Sequence, residues 1–547
     1  MAVEETEDRI MAVIINKLES KINWKTGFLF LIIYGLIAIR VIGFPLIPGG
    51  LNQDGVMGAV DAKALAEYGT DRFGTFMPAH FEAWGYGQMS VLLSYLTVPF
   101  IKIFGLNKLA MRLPMLLASL AGAAGIYGVV KKLFGERTAM TALIFLAINP
   151  WHFMQSRWAL DCNLFPHMFV LGLYFLISSF NKKRNLYISM IFFGLCMYCY
   201  GVSFYMVPFF LLVSCIFLLV QKKVTWKNVF FCLLVYFGIS WPIYGTMLIN
   251  FMKWETVKLP FVTMQFFAGN VRSADILFFS ENMGQQLVNN LKSLLNVVFL
   301  QKEDWIWNSI KGFGTMYKCS MPFVILGAVS VLIGAVKEKD SNKKAGCQLL
   351  ICFWIFSLLA GVMINYVNVN RINIIFYIHI IFAAVGIYFV IKKWRIMLYI
   401  VMAAYSIQSV MFFNQYFTAW AENMETAFYA DFVDALEYAK GYDSDCYYIT
   451  PDTQYEGSWN VSEILTLFVF DVDARYYQGV DGLAENRNIT YKDRFRYSNP
   501  PEDLYASPEN TVYVTRSSIQ ELFPRERFSV TVFGDYTVAV PWSLIYQ

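Results

Sequence analysis

Apolar residues fall in long uninterrupted runs rather than in the alternating or striped patterns of water-soluble elements. Runs over 26–44, 110–130, 137–155, 164–180, 185–201, 203–220, 228–249, 319–336, 347–364, 372–390 and 396–413 are each long enough, or nearly so, to cross a bilayer as a helix. The pattern predicts a polytopic α-helical membrane protein with about 11 spans. Two long segments expected on the external side interrupt them, at 45–109 and 250–318. A further apolar run at 88–104 contains Pro99, and a crossing there would invert the sidedness of every later basic cluster. It reads as a juxtamembrane or re-entrant helix within the first long loop. The second long loop carries many aromatics and an apolar stretch near 287–300.

Beyond residue 413 the pattern changes. A helical periodicity over 420–442 gives way to short β-rich runs at 446–449, 465–470, 511–515 and 528–533. Asp443, Gly457-Ser458, Asp481-Gly482 and Pro500-Pro501 supply the turns. A small α/β domain is the prediction for 414–547.

Composition agrees and removes alternatives. Of 547 residues, 57% are hydrophobic and only 15% charged, against roughly 25% charged in soluble domains. An ordinary soluble enzyme and a disordered chain are both excluded. The net charge of +4 conceals two opposed regions, because 414–547 holds 21 acidic and 9 basic residues while the first 413 residues are strongly basic. The basic residues form short clusters: Lys131-Lys132 with Arg137, Lys182-Lys183-Arg184, Lys222-Lys223 with Lys227, Lys337 through Lys344, and Lys392-Lys393-Arg395. Such inter-helix clusters suit a cytoplasmic membrane surface and not nucleic acid, which calls for one basic stripe. With Lys17, Lys21 and Lys25 they place 1–25 in the cytoplasm, 26–413 in the membrane and 414–547 outside. Cys446 is the tail's one cysteine, and Cys196–Cys199 lies inside an apolar run, where packing explains it better than metal or redox chemistry.

A few polar residues stand where the membrane makes them costly. Asp54 follows the first span, and two readings stand: a helix cap, or a general base at the headgroup plane. Asp61, seven residues on, reads as structural or substrate-orienting. Arg157 and Asp161 are spaced for an i,i+4 ion pair on one helical face, and Arg157 also has the fork of donors that fits a phosphate. His152, just before them, reads as packing or as support for neighbours in direct contact with substrate. Arg371 opens an external helix end, where phosphate binding competes with snorkelling. His379 lies two turns deeper, either at a cavity or satisfying a backbone group. Arg112, beside Pro114, is expected to fix the first loop, with headgroup contact as its second role. His80 and Glu82 could together hold a divalent cation, and two ligands one residue apart leave a metal open.

These stretches carry a resemblance: Pro48-Gly49 through Asp54, Tyr95 through Phe100 with Phe104-Gly105, Arg112-Leu113-Pro114, Lys132 through Gly135, Asn149-Pro150-Trp151-His152 with Ser156-Arg157, and Tyr198-Cys199-Tyr200. Over about 28–220 the chain resembles the GT-C integral-membrane glycosyltransferases that use polyprenyl-phosphate sugars, in the bacterial branch akin to protein O-mannosyltransferases and the lipid A aminoarabinose transferase. The resemblance implies transfer of a sugar from a polyprenyl-phosphate carrier, undecaprenyl phosphate in a bacterium, on the external leaflet. The acceptor would be a cell-envelope polysaccharide, glycolipid or protein. It implies Asp54 as catalytic base and Arg157 or Arg371 on the donor phosphate. Two departures stand out. Many relatives have two adjacent acidic residues where this chain has Asp54-Gly55, and many have His-Pro-Pro where it has Pro78-Ala79-His80. A transporter or flippase predicts internal repeats and midplane polar residues, neither of which is evident. A non-enzymatic scaffold predicts that Asp54 is dispensable.

Overall fold

The computed structural model describes residues 24–84, 88–269, 282–453, 459–482, 488–504 and 507–546. The predicted cytoplasmic segment through residue 23, the middle of the second long loop and the turn at Gly457-Ser458 lie outside them.

Among the described residues, 8 helices are long and apolar enough to cross a membrane, from Lys108–Phe134 through Ile396–Phe417. Three other expected spans coincide with helices outside that set: Trp24–Val41, Glu136–Ile148 continued by Pro150–Gln155, and Arg184–Cys196, whose 13 residues fall short of a full crossing. The run at 88–104 is a two-residue strand followed by the 13-residue helix Leu92–Phe104. That helix is about 20 Å long, well short of a hydrocarbon core of roughly 30 Å.

Ile374–Lys393 runs through the bundle with 15 of its 20 residues buried, His379 among them. It packs closely on Met321–Lys337 because glycines face backbone: Gly327 lies against the Phe382 carbonyl and Gly386 against the Phe323 carbonyl. In lipid, where no hydrophobic force drives helices together, such close approach is a principal source of association.

A second source is polar. Arg40 donates from Nη2 to His152 Nδ1 at 2.7 Å, so the His152 proton sits on Nε2, 3.0 Å from the Tyr377 hydroxyl. That hydroxyl donates in turn to His167 Nδ1 at 2.6 Å. Arg40 also donates to the carbonyls of Leu36 and Leu146. The chain of bonds ties together four helices, those of Arg40, His152, His167 and Tyr377, and gives partners to several polar atoms that are costly to bury alone.

The C-terminal region forms a five-stranded mixed sheet in the order Phe495–Arg496, Cys446–Ile449, Thr511–Arg516, Tyr536–Pro541, Phe528–Phe533. The first three strands are parallel and the last two run antiparallel to their neighbours. Three of the four predicted β runs are strands. The fourth, 465–470, falls instead on the last turns of the helix Trp459–Val469 and the residue after it. This helix packs on both Gln53–Tyr68 and Ala430–Lys440, so most of its sides are buried and its apolar run carries no visible helical stripe. The predicted helix over 420–442 is two helices, Ala419–Ala427 and Ala430–Lys440, broken where Tyr429 takes a φ of 55°.

The sheet region is seated on the first long loop. Lys63 donates to Asp471 Oδ1 at 2.6 Å and to the carbonyls of Asp471 and Val472. Tyr68 donates to Asp473, and Gln478 to the Asp71 carbonyl. The Leu51 amide donates to the Phe428 carbonyl at 2.5 Å, and Gly50 lies against that same carbonyl, where its φ of 63° and missing side chain are both required.

Candidate active site

Asp54 occupies the first turn of Gln53–Tyr68, which Asn52 caps by accepting from the amides of Asp54 and Gly55. Asn52, not Asp54, is therefore the cap, and the Asp54 carboxylate is left for other work. It is half-buried, and its Oδ1 accepts from Trp84 Nε1 at 3.0 Å. A carboxylate near a helix N-terminus is favoured by the helix dipole.

Gly55 explains the first departure from the relatives' pattern. A Cβ there would stand 2.6 Å from the Ala159 carbonyl oxygen, so position 55 has no room for a second carboxylate. The same contact brings Asp54 to the segment 156–160, where the chain is not helical. Asp161 begins the next helix and accepts from the Ser90 amide at 3.2 Å and the Cys162 amide at 2.7 Å. The Cys162 carbonyl accepts from Asn373 Nδ2 at 2.8 Å. Asn373 is two residues from Arg371, so Asp54 and Arg371 belong to one end of the bundle.

Arg371 is half-buried, with its guanidinium over the Tyr366 ring at 4.0 Å and a hydrogen bond to Asn365 Oδ1. Asn368 caps its helical turn.

Arg157 departs from expectation. The unwound segment 156–160 removes the i,i+4 face, and Arg157 turns away from Asp161. Its three guanidinium nitrogens donate to the carbonyls of Arg40, Ile42 and Ile47 and to the Tyr416 hydroxyl, and it is fully buried. These acceptors occupy the donors that a phosphate would need, so Arg157 is a clamp on the connection out of the first span. Arg112 donates to the carbonyls of Pro45, Pro48 and Gly50. The two arginines together hold 40–50 in one shape.

The other candidates scatter. Asp61 is buried in an ion pair with Arg72 at 2.6 Å and also accepts from the Arg72 amide, a structural role. Burial raises its pKa against the opposing pull of Arg72. His152 belongs to the buried chain from Arg40. His379 accepts from Trp354 Nε1 at 3.1 Å deep among the helices. His80 sits edge-on to Phe204 and Phe267 and lines a small cavity with Gln88. Glu82 lines a different cavity, with Arg72 and Trp84. The pair thus does not converge on one cation, and among the described residues no group of three or more His, Cys, Asp or Glu side chains gathers as metal ligands.

Three residues escaped the sequence reading. Arg40 had a signal, as the one charge inside the first apolar run. Trp84 and Arg72 had none, since their partners Asp54 and Asp61 are 30 and 11 residues away.

The family described as dolichyl-phosphate-mannose-protein mannosyltransferase matches residues 89–243, which include Arg112, His152, Arg157 and Asp161 but not Asp54 or Arg371. No curated protein matches the chain by sequence. Among solved structures, ArnT from Cupriavidus metallidurans in the apo state superposes with a TM-score of 0.56 at 11% identity, covering 94% of this chain and 98% of that one. ArnT bound to undecaprenyl phosphate gives 0.55 at 13% identity with the same coverage. The Archaeoglobus fulgidus oligosaccharyltransferase in complex with Zn and sulfate gives 0.50 at 13% identity, covering 80% of this chain. This chain spans 61% of that oligosaccharyltransferase's length. The protein is therefore a polytopic helical membrane protein of the GT-C fold with a small C-terminal sheet domain, similar over 89–243 to the dolichyl-phosphate-mannose-protein mannosyltransferases.

Proposed function

We propose that the protein is a glycosyltransferase that moves a sugar from a polyprenyl-phosphate carrier to a hydroxyl of a cell-envelope acceptor. The observation that carries this reading is Asp54: a carboxylate released from capping by Asn52, oriented by Trp84, at the end of the bundle that also holds Arg371. Undecaprenyl phosphate is the favoured carrier, in line with its presence on ArnT.

In this reading the acceptor hydroxyl attacks the anomeric carbon as Asp54 takes its proton. The bond from that carbon to the phosphate oxygen breaks on the opposite face, inverting the centre, and the carrier leaves as polyprenyl phosphate with the electron pair. Arg371 supports the charge that develops there. Phosphate is already a good leaving group, so no separate acid is needed. Arg112 and Arg157 contribute by fixing the connection that precedes Asp54. The N-terminal segment 1–25 is cytoplasmic, 26–413 is the catalytic membrane domain, and the site and 414–547 face the extracytoplasmic side.

The test uses the protein in lipid nanodiscs with labelled polyprenyl-phosphate sugars and cell-envelope extract, comparing wild type with Asp54→Asn. Transfer from one donor, lost in Asp54→Asn while donor binding persists, is the expected result. Equal turnover in both would remove Asp54 from the mechanism. Donor binding without turnover in the wild type would shift the assignment to transport or scaffolding.

A further inference from the structure

A cavity of about 420 Å³ lies where the C-terminal domain meets the first long loop. Its size falls within the roughly 300–1,000 Å³ usual for small-ligand sites. One wall is built from the loop, with Phe73, Glu82 and Trp84, and the other from the start of Trp459–Val469, with Trp459, Asn460 and Glu463. Each wall thus supplies an indole and a carboxylate. Trp84 belongs both to this cavity and to the Asp54 carboxylate, so a ligand seated here is one indole away from the proposed base.

The lining decides what kind of ligand fits. Arg72 is the cavity's one basic residue among the described ones, and it is already engaged. Its guanidinium pairs with Asp61 and donates to the carbonyls of Glu82 and Ala83, with its face over Phe73 at 4.4 Å. Two carboxylates facing the same space repel a phosphate or a uronate. A neutral or amine-bearing ligand is compatible with them. Aromatic faces beside carboxylate and amide side chains match a pyranose, which has apolar C–H faces and a rim of hydroxyls. Glu463 accepts from the Tyr491 hydroxyl at 3.0 Å, which fixes its carboxyl at the cavity wall. Burial raises its pKa.

We propose that this cavity is a saccharide-binding site, shaped by Trp84 and Trp459 for a neutral or amino sugar, and that it presents the acceptor glycan to Asp54. Its role as the acceptor site rests on the transferase reading, whereas saccharide binding does not. A peptide acceptor, whose backbone of extended amides offers no broad C–H face to an indole, matches this lining less well.

The experiment measures binding directly, with the full chain in nanodiscs. N,N′-diacetylchitobiose, glucosamine, glucose 6-phosphate and a neutral Ser/Thr hexapeptide are titrated by saturation-transfer NMR and tryptophan fluorescence. Trp459 is 53% exposed, so Trp459→Ala does not open the core. The expected result is binding of at least one of the first two probes, weakened about fivefold or more by Trp459→Ala and largely kept by Trp459→Phe. Glucose 6-phosphate and the peptide should bind more weakly. Absence of saccharide binding, indifference to Trp459→Ala, or preference for the peptide or the phosphate would each overturn the proposal. Titration of the Asp54→Asn protein separates the two readings. Saccharide binding with Asp54-independent turnover would keep the cavity and discard the base, and Asp54-dependent transfer without saccharide binding would do the reverse.

Discussion

Gly55 lies flat against Ala159: a Cβ at residue 55 would stand 2.6 Å from the Ala159 carbonyl oxygen. Backbone, not a pliable side chain, is what it would meet. Gly55→Ala is therefore expected to cost roughly 1–3 kcal/mol by overpacking. Because Asp54 is the adjacent residue, transfer should also fall by about 10–100-fold. Gly58→Ala makes the contrast, since a Cβ there meets the Met89 methyl and the Ser94 hydroxyl at 3.0 Å, both able to give. Thermal unfolding and turnover of the two variants check the difference.

Trp84→Phe keeps an aromatic ring at the cavity and removes the donor to Asp54. A hydrogen bond to a charged group contributes about 1.5–3 kcal/mol. The variant should lose roughly 10–100-fold in kcat with a smaller change in donor KM, as expected if Trp84 orients the proposed base. Steady-state kinetics against donor concentration measure the split.

Lys63 holds the C-terminal domain at a buried point, while its partner Asp471 is about half exposed. Lys63→Met leaves two carbonyls and a carboxylate without their donor and should loosen the docking by roughly 1–3 kcal/mol. Asp471→Asn keeps the carbonyl contacts and should cost less than about 1 kcal/mol. Hydrogen exchange in 459–478 reports the loosening.

Burial, with the negative charge of Asp61, pushes the Asp71 carboxyl from its ordinary 3.8 up to about 7, against the pull of Arg72 and the Phe73 and Thr75 amides. The folded chain thus keeps a proton that the unfolded chain releases near pH 4. Stability should fall as pH rises from about 4 to about 7 and level off above. Asp71→Asn can keep both bonds accepted by Oδ1. It should therefore flatten this fall and be more stable than wild type at pH 8, with the two converging near pH 4. Thermal melts across that range decide it.

Tyr377→Phe removes the hydroxyl that accepts from His152 and donates to His167. Two buried ring nitrogens lose their partners, at a cost of roughly 1–3 kcal/mol. Thermal aggregation in detergent measures the loss.

The sequence was most legible where one local rule governs. Apolar run length located 8 helices long enough to cross a membrane, and the β-rich runs beyond residue 413 pointed to the small C-terminal sheet domain. It was least legible where the partner is distant or is backbone. Nothing local marks Trp84 as the partner of Asp54, or Ile42 and Ile47 as the acceptors that turn Arg157 from a phosphate ligand into a clamp. The spacing of Arg157 and Asp161 promised an ion pair only for a continuous helix, and 156–160 is unwound. Residues 465–470 looked like a strand because burial against two helices makes a helix apolar on most sides. Gly55 looked like a missing carboxylate, and its neighbour Ala159 is what makes it a requirement.

The cavity beside Asp54 has one wall drawn from 72–84 and the other from 459–478. During synthesis the ribosome delivers these walls at nearly opposite ends of its run, so the nascent chain inserts all its membrane helices with the pocket still half-made. A chain arrested after the last span would reach the membrane carrying Asp54, Arg112, Arg157 and Arg371 but lacking the Trp459 wall. Completion of the cavity is thus a late event in biogenesis, and a truncated product would be inserted with one of its two walls missing.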